Sequence, residues 1–136
     1  MPINGLFTPY DLDRINKAIA YVDKHYQDAI SAENLAMEVN MDIKQLQAGI
    51  QFRKGLTIHT YILKVRVQQA MKDLENFELP IKCIASRHGF CSPSHFGVEF
   101  KKQTGLTPKE FRYQLILDNN YLETVIASKE GVFTDS

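Results

Sequence analysis

The sequence predicts an all-α fold of about seven helices, and three observations predict it. Apolar residues recur at three- and four-residue spacing along most of the chain, and no stretch alternates convincingly as a strand. Helix starts and stops punctuate that pattern: Thr, Ser or Asp caps, prolines in first turns, and glycines just past the ends. Finally, one block occurs twice. Leu35-Ala36, Asp42, Leu46, Ile50, Gly55-Leu56-Thr57 and Tyr61 are answered by Ile84-Ala85, Ser92, Phe96, Phe100, Gly105-Leu106-Thr107 and Phe111. From Asp42 and Ser92 onward each pair lies 50 positions apart, whereas Leu35-Ala36 and Ile84-Ala85 lie 49 apart, so one copy carries a single inserted residue in its turn. Two copies are too few for a solenoid, so a duplicated helical unit is the better reading.

The elements follow in order. Thr8-Pro9-Tyr10-Asp11 supplies an N-cap, a proline at the first helical position and an acid in the first turn. Ile15, Ile19, Val22 and Tyr26 then form the apolar stripe of a helix ending near Tyr26. Ser31 caps a short helix carrying Leu35, Ala36 and Val39. After the turn Asn40-Met41-Asp42, Asp42 caps a helix with Ile43, Leu46 and Ile50 inward, and Gly55 ends it. Thr57 to about Phe77 reads as one long helix, burying Ile58, Tyr61, Ile62, Val65, Ala70 and Leu74. Pro80 opens a helix with Ile81, Ile84 and Ala85, and Gly89-Phe90-Cys91 turns the chain. Ser92-Pro93 starts the next helix, with Phe96 and Phe100 inward and Gly105 as its stop. Thr107-Pro108-Lys109-Glu110 is a capping box opening the last helix through Phe111 and Leu115. The organisation expected is a first lobe over 8–56, a linker helix over 57–77, a second lobe over 78–117 and a polar tail over 118–136, in which disorder is expected.

Composition narrows the function classes. No apolar run approaches the roughly 20 residues that span a bilayer, and Met1-Pro2-Ile3-Asn4 has no basic or apolar signal region. Two cysteines, Cys83 and Cys91, make no disulfide framework, which fits a reducing cytoplasm. The net charge is zero, but it is unevenly spread: residues 41–113 hold twelve bases against six acids, +6, while both flanks are acidic. A basic centre between acidic flanks is the asymmetry expected of a polyanion-binding surface. The chain lacks a glycine-rich phosphate loop, a nucleophile elbow and an evident pair of catalytic carboxylates, so an enzyme is not expected.

Each copy of the repeat is a short helix, a tight turn and a second helix, the arrangement that lays its second helix in the DNA major groove. A linker helix of about 21 residues would be roughly 30 Å long, near the roughly 34 Å between successive major-groove faces. A monomer with such a linker would read two adjacent groove segments. The residues Leu35-Ala36 to Gly55, Ile84-Ala85-Ser86-Arg87-His88-Gly89-Phe90, Phe96-x-x-x-Phe100-Lys101-Lys102-x-x-Gly105 and Thr107-Pro108-x-x-Phe111-Arg112 resemble the DNA-binding domain of the AraC/XylS transcription regulators. The resemblance covers about residues 12–115, with Ile84–Arg112 as the most specific stretch. It implies two helix-turn-helix lobes on a long helix, double-stranded DNA as partner, RNA polymerase as a second partner, no cofactor, and a cytoplasmic location. Many members carry a separate effector-sensing domain; 136 residues leave no room for one, so the expectation is a member with little beyond the DNA-binding module, or a fragment of a longer protein.

Carried over by position, the resemblance implies Lys44, Gln47, Ala48 and Gln51 as base readers on the first reading helix. Pro93, Ser94, Gly97 and Val98 are the corresponding residues on the second. Family members commonly have Arg where this chain has Ala48 and Val98. Arg to guanine is the commonest specific base contact, so the expectation is a weaker, A·T-leaning specificity, with affinity resting on phosphates. The glycines Gly49 and Gly97 are expected to weaken the two helices by about 1 kcal/mol each relative to Ala. Phosphate-contact candidates are Arg53, Lys54, Lys101 and Lys102, together with the helix N-termini at Thr57 and Thr107, whose free N–H groups suit anions. Arg66 and Arg112, on otherwise apolar faces, are expected to pair acids or cap carbonyls.

Two other readings compete with this one. Cys83, His88, Cys91 and His95 fall within 13 residues, but their spacing is not that of a structural zinc site, and no metal is expected. A protein-interaction module on the same scaffold, docking through a surface such as the acidic first helix, is the alternative to DNA binding. Salt separates the two, because phosphate contacts weaken steeply as salt rises.

Overall fold

The computed structural model describes residues 7–129, with side chains as far as Asn119. Its helices are α1 (Pro9–His25), α2 (Ala32–Glu38), α3 (Ile43–Lys54), α4 (Ile58–Asp73), α5 (Ile81–Arg87), α6 (Pro93–Thr104) and α7 (Pro108–Lys129), and the described residues form no strand. The starts are set locally. Thr8 and Asp11 form a reciprocal capping box, each side chain accepting the other's backbone N–H at 3.0 Å. Ser31, Asp42, Thr57 and Ser92 likewise accept N–H groups in the first turns of α2, α3, α4 and α6.

The two tight turns are built alike. Asn40 (φ 56°) and Gly89 (φ 88°) occupy the same left-handed position in each. There Met41 N–H reaches Ala36 O at 2.9 Å, and Phe90 N–H reaches Ala85 O at 3.0 Å. Those bonds satisfy carbonyls that α2 and α5 would otherwise leave open. Asn is one of the few non-glycine residues that takes this conformation readily, which is how the first copy manages without glycine.

Two cores are packed on one shared helix. Ile15, Ala18, Val22, Leu35, Leu46 and Ile50 form the first core with Ile58, Tyr61, Ile62 and Val65 of α4. Ile84, Ala85, Phe90, Phe96 and Phe100 form the second with Leu63, Val67 and Ala70, the rest of the buried side of α4, and with Leu74 at its C-terminal cap. The aromatic run Phe90–Phe96–Phe100–Phe111 packs at centroid separations of 4.9, 5.6 and 5.4 Å, in the offset and edge-on geometries that rings prefer.

Two boundaries differ from expectation. The linker helix stops at Asp73 rather than near Phe77, because Leu74, Glu75 and Asn76 close tight i−3 bonds to Met71, Lys72 and Asp73. Arg112 fixes that end by donating to the carbonyls of Leu74 (3.2 Å) and Asn76 (3.1 Å). Sixteen residues span about 24 Å, so the length of α4 alone does not match the groove repeat. At the other end, α7 continues across positions expected to begin the tail and reaches Lys129. The remainder of that tail, 130–136, lies outside the described residues, as do the first six residues. Among the described residues no helix is long and apolar enough to cross a membrane.

Candidate nucleic-acid interface

In both repeats the second helix is held by one buried face and leaves the other open. α3 buries Leu46, Gly49 and Ile50. Lys44, Gln47, Ala48 and Gln51 are exposed on its far side. α6 is anchored by Phe96 and Phe100. Pro93, Ser94 and Val98 are exposed and Gly97 is half-buried. Val98 is 64% exposed. Ala48 stands 50 positions before it, at the same place on the first reading helix. α3 carries no acid, and the one acid of α6, Glu99, is half-buried.

Gly49 is not the simple weakness expected of it. A Cβ there would lie 2.3 Å from Ile15 Cδ1 and 2.5 Å from Ile15 Cγ1, so the missing side chain is what lets α3 press against α1. Gly97 has no such reason, since nothing lies within 4 Å of its would-be Cβ.

The phosphate-contact candidates divide. Arg53 and Lys54 close α3, Lys101 and Lys102 lie in the last turn of α6, and all four are exposed. Lys54 Nζ lies 5.3 Å from the centre of the Tyr61 ring, within cation–π range. That ring is fixed in turn by a 2.7 Å bond from its hydroxyl to Asp23. Burial first, and then this bond, push the Tyr61 pKa well above the ordinary tyrosine value. At Thr57 the hydroxyl holds Thr60 N–H at 3.1 Å, and the first turn of α4 has no acid. Thr107 is different: its own N–H donates to Glu110 Oε1 at 2.8 Å, and its hydroxyl accepts Glu110 N–H at 3.0 Å. Pro108 has no N–H to offer. The start of α7 therefore holds a carboxylate already, with its pKa lowered first by that backbone bond, and the free N–H groups expected at Thr107 are largely taken.

Several side chains make long-range bonds that the sequence pattern does not announce, and one of them, His88, joins the two lobes. Arg66 donates to the carbonyls of Tyr26 (2.7 Å) and Asp28 (2.8 Å), and Arg14 to those of Val39 (2.6 Å) and Asn40. Arg66 and Arg112 thus both cap carbonyls, as expected of them. His88 is buried, with Nε2 2.7 Å from Asp73 Oδ2 and Nδ1 3.0 Å from the Tyr26 hydroxyl. Of the residues considered for zinc, His88 is thus engaged elsewhere, while Cys91 Sγ sits 3.6 Å from His95 Nδ1 and Cys83 is exposed. Among the described residues no three His, Cys, Asp or Glu side chains converge as a metal site would require. No local sequence signal exposes the His88 contacts, since its partners lie 62 and 15 positions away.

Two matched helix-turn-helix lobes on a shared helix define the class as a double helix-turn-helix domain. A family described as a helix-turn-helix domain matches residues 35–114, and the chain belongs to this AraC-type helix-turn-helix family. It is similar to the transcriptional activator RhaS of Escherichia coli O1:K1, 25% identical over 99 residues that cover 73% of this chain and 36% of that protein. It is also similar to RhaS of Escherichia fergusonii, 28% identical over 99 residues with the same coverage. The chain thus spans about a third of the length of these curated relatives. Among solved structures, the C-terminal domain of AraT, a response regulator from Geobacillus stearothermophilus, superposes with a TM-score of 0.71 at 28% identity, covering 79% of this chain and 86% of that one. The DNA-binding domain of AdpA, solved with a target DNA, shares the fold at a TM-score of 0.70 and 24% identity, covering 74% of this chain and 90% of that one. The family favours DNA binding over the interaction-module reading.

Proposed function

We propose that this chain is a sequence-specific DNA-binding regulator of transcription, acting in the cytoplasm as a monomer. In this reading α3 and α6 enter two successive major-groove segments on one side of the duplex. The observation that carries it is the pair of equivalent reading helices, each anchored by one apolar face and open on the other. Gln47 and Gln51 suit adenine edges, and Lys44 suits guanine or phosphate. Ala48 and Val98 offer apolar contact to thymine methyls, so the preference leans toward A·T. Arg53, Lys54, Lys101, Lys102 and the start of α4 at Thr57 supply the phosphate contacts. Thr107 contributes less, because Glu110 stands there. RNA polymerase is the second partner this reading expects, in keeping with relatives described as transcriptional activators.

Titrating labelled duplex with the protein at several salt concentrations tests the reading. Four cationic phosphate contacts predict a slope of log affinity on log salt of about −3.6. A slope near zero in folded protein contradicts it.

A further inference from the structure

A single helix shared by two cores fixes where the lobes sit along its axis, but it leaves their relative angle to bending and twisting of that helix. A second contact away from the axis is needed to remove that freedom, and the structure has one. The turn ending α1 meets the turn ending α5. Tyr26 Oη lies 3.0 Å from His88 Nδ1, and His88 Nε2 lies 2.7 Å from Asp73 Oδ2 at the end of α4. A carboxylate only accepts, so Nε2–H donates to Asp73 and leaves Nδ1 to face the Tyr26 hydroxyl.

Beside them, a Cβ on Gly89 would lie 2.9 Å from Gln27 O and 3.1 Å from Gln27 Cα. The backbones of the two lobes therefore touch where only glycine fits, at a residue that also needs positive φ (88°). Arg66 lies under the seam, bonded to the carbonyls of Tyr26 and Asp28. α1 carries α3 through the Gly49–Ile15 contact, and α5 leads through its turn into α6. A tie between the ends of α1 and α5 is thus a tie between the supports of the two reading helices.

We propose that Tyr26, His88 and Gly89 form an inter-lobe latch that fixes the angle between the lobes and so sets the spacing of the two DNA motifs the protein accepts. These are positioning residues, and the inference rests on the DNA-reading function proposed above. Tyr26→Phe is the decisive variant, since it removes one hydroxyl and keeps the ring. His88→Gln keeps a donor for Asp73, loses the Tyr26 bond, and should behave in the same way.

The first readout needs no DNA. In the weakly aligned 136-residue protein, backbone residual dipolar couplings from α1–α3 and from α5–α6 should fit one alignment tensor in the wild type. In Tyr26→Phe, with near-native melting, they should require two. The second uses a duplex selected by the wild type from a random library, and the same duplex with its spacer changed by one base pair. Wild type should lose binding on the order of 10²-fold, the avidity forfeited when both modules cannot engage together, while Tyr26→Phe should lose far less. Couplings that fit one tensor in both proteins overturn the latch, as does unchanged spacing discrimination. A wild type that retains no DNA removes the proposed function instead, and the couplings still decide whether the latch holds the lobes.

Discussion

Gly49 and Gly97 are both interior glycines of the reading helices, and their surroundings give them opposite roles. Gly49→Ala drives a methyl into Ile15 and should destabilise by about 1–3 kcal/mol. Gly97→Ala meets open space and should stabilise by about 1 kcal/mol through helix propensity. Denaturant unfolding of both variants checks this; a stabilised Gly49→Ala would mean that α1 and α3 are less tightly joined than described. In the proposed docking, Val98 is the residue that most clearly limits base reading. Val98→Arg should tighten binding to some guanine-containing sites by about 1–3 kcal/mol, measured across a panel of duplexes. No gain at any site counts against the docking of α6 in a groove.

At the scale of the element, the ends of α4 show what the sequence can and cannot reveal. Its start is legible because Thr57 caps it locally. Its end is set by Arg112, 38 positions from Leu74, and by the bonds that His88 and Arg87 donate to Asp73, which no local pattern announces. Capping boxes, left-handed turns and apolar stripes act within one or two turns of helix, so most boundaries could be read directly. The capping of carbonyls by Arg66 was readable from a cation on an apolar face, whereas the His88 relay was not.

Asp73 also gives this region a pH signature. The hydrogen bond from His88, with Arg87 adding to it, holds its carboxyl below the usual carboxylate range. Its folded-state pKa is therefore depressed. The stability it contributes is present above the ordinary value near about 3.9 and is lost as the pH falls through the lowered one. Asp73→Asn should be less stable than wild type near neutral pH, and the two should converge in strong acid, as followed by circular dichroism. A gap that does not change with pH contradicts this assignment.

For the whole molecule, the sequence duplication and the two cores are one fact at two levels. The 50-residue repeat becomes two lobes because α4 offers Ile58, Tyr61, Ile62 and Val65 to one core and Leu63, Val67 and Ala70, with Leu74 at its cap, to the other. A net charge of zero conceals a basic middle between acidic flanks, so in the proposed docking binding should be sensitive to the exposed lysines of α6. Lys101→Ala with Lys102→Ala should weaken all duplexes about equally and flatten the salt slope by roughly 2. A loss confined to particular base sequences would instead make these lysines base readers. The central claim, one chain reading two groove segments, is tested most directly by selection from a randomised duplex library at near-physiological salt, with the bound stoichiometry measured on the winning sequence. The expected result is two short A·T-leaning motifs about one helical turn apart, bound by one protein per duplex. A single motif, two proteins per site, or retention without enrichment would contradict it.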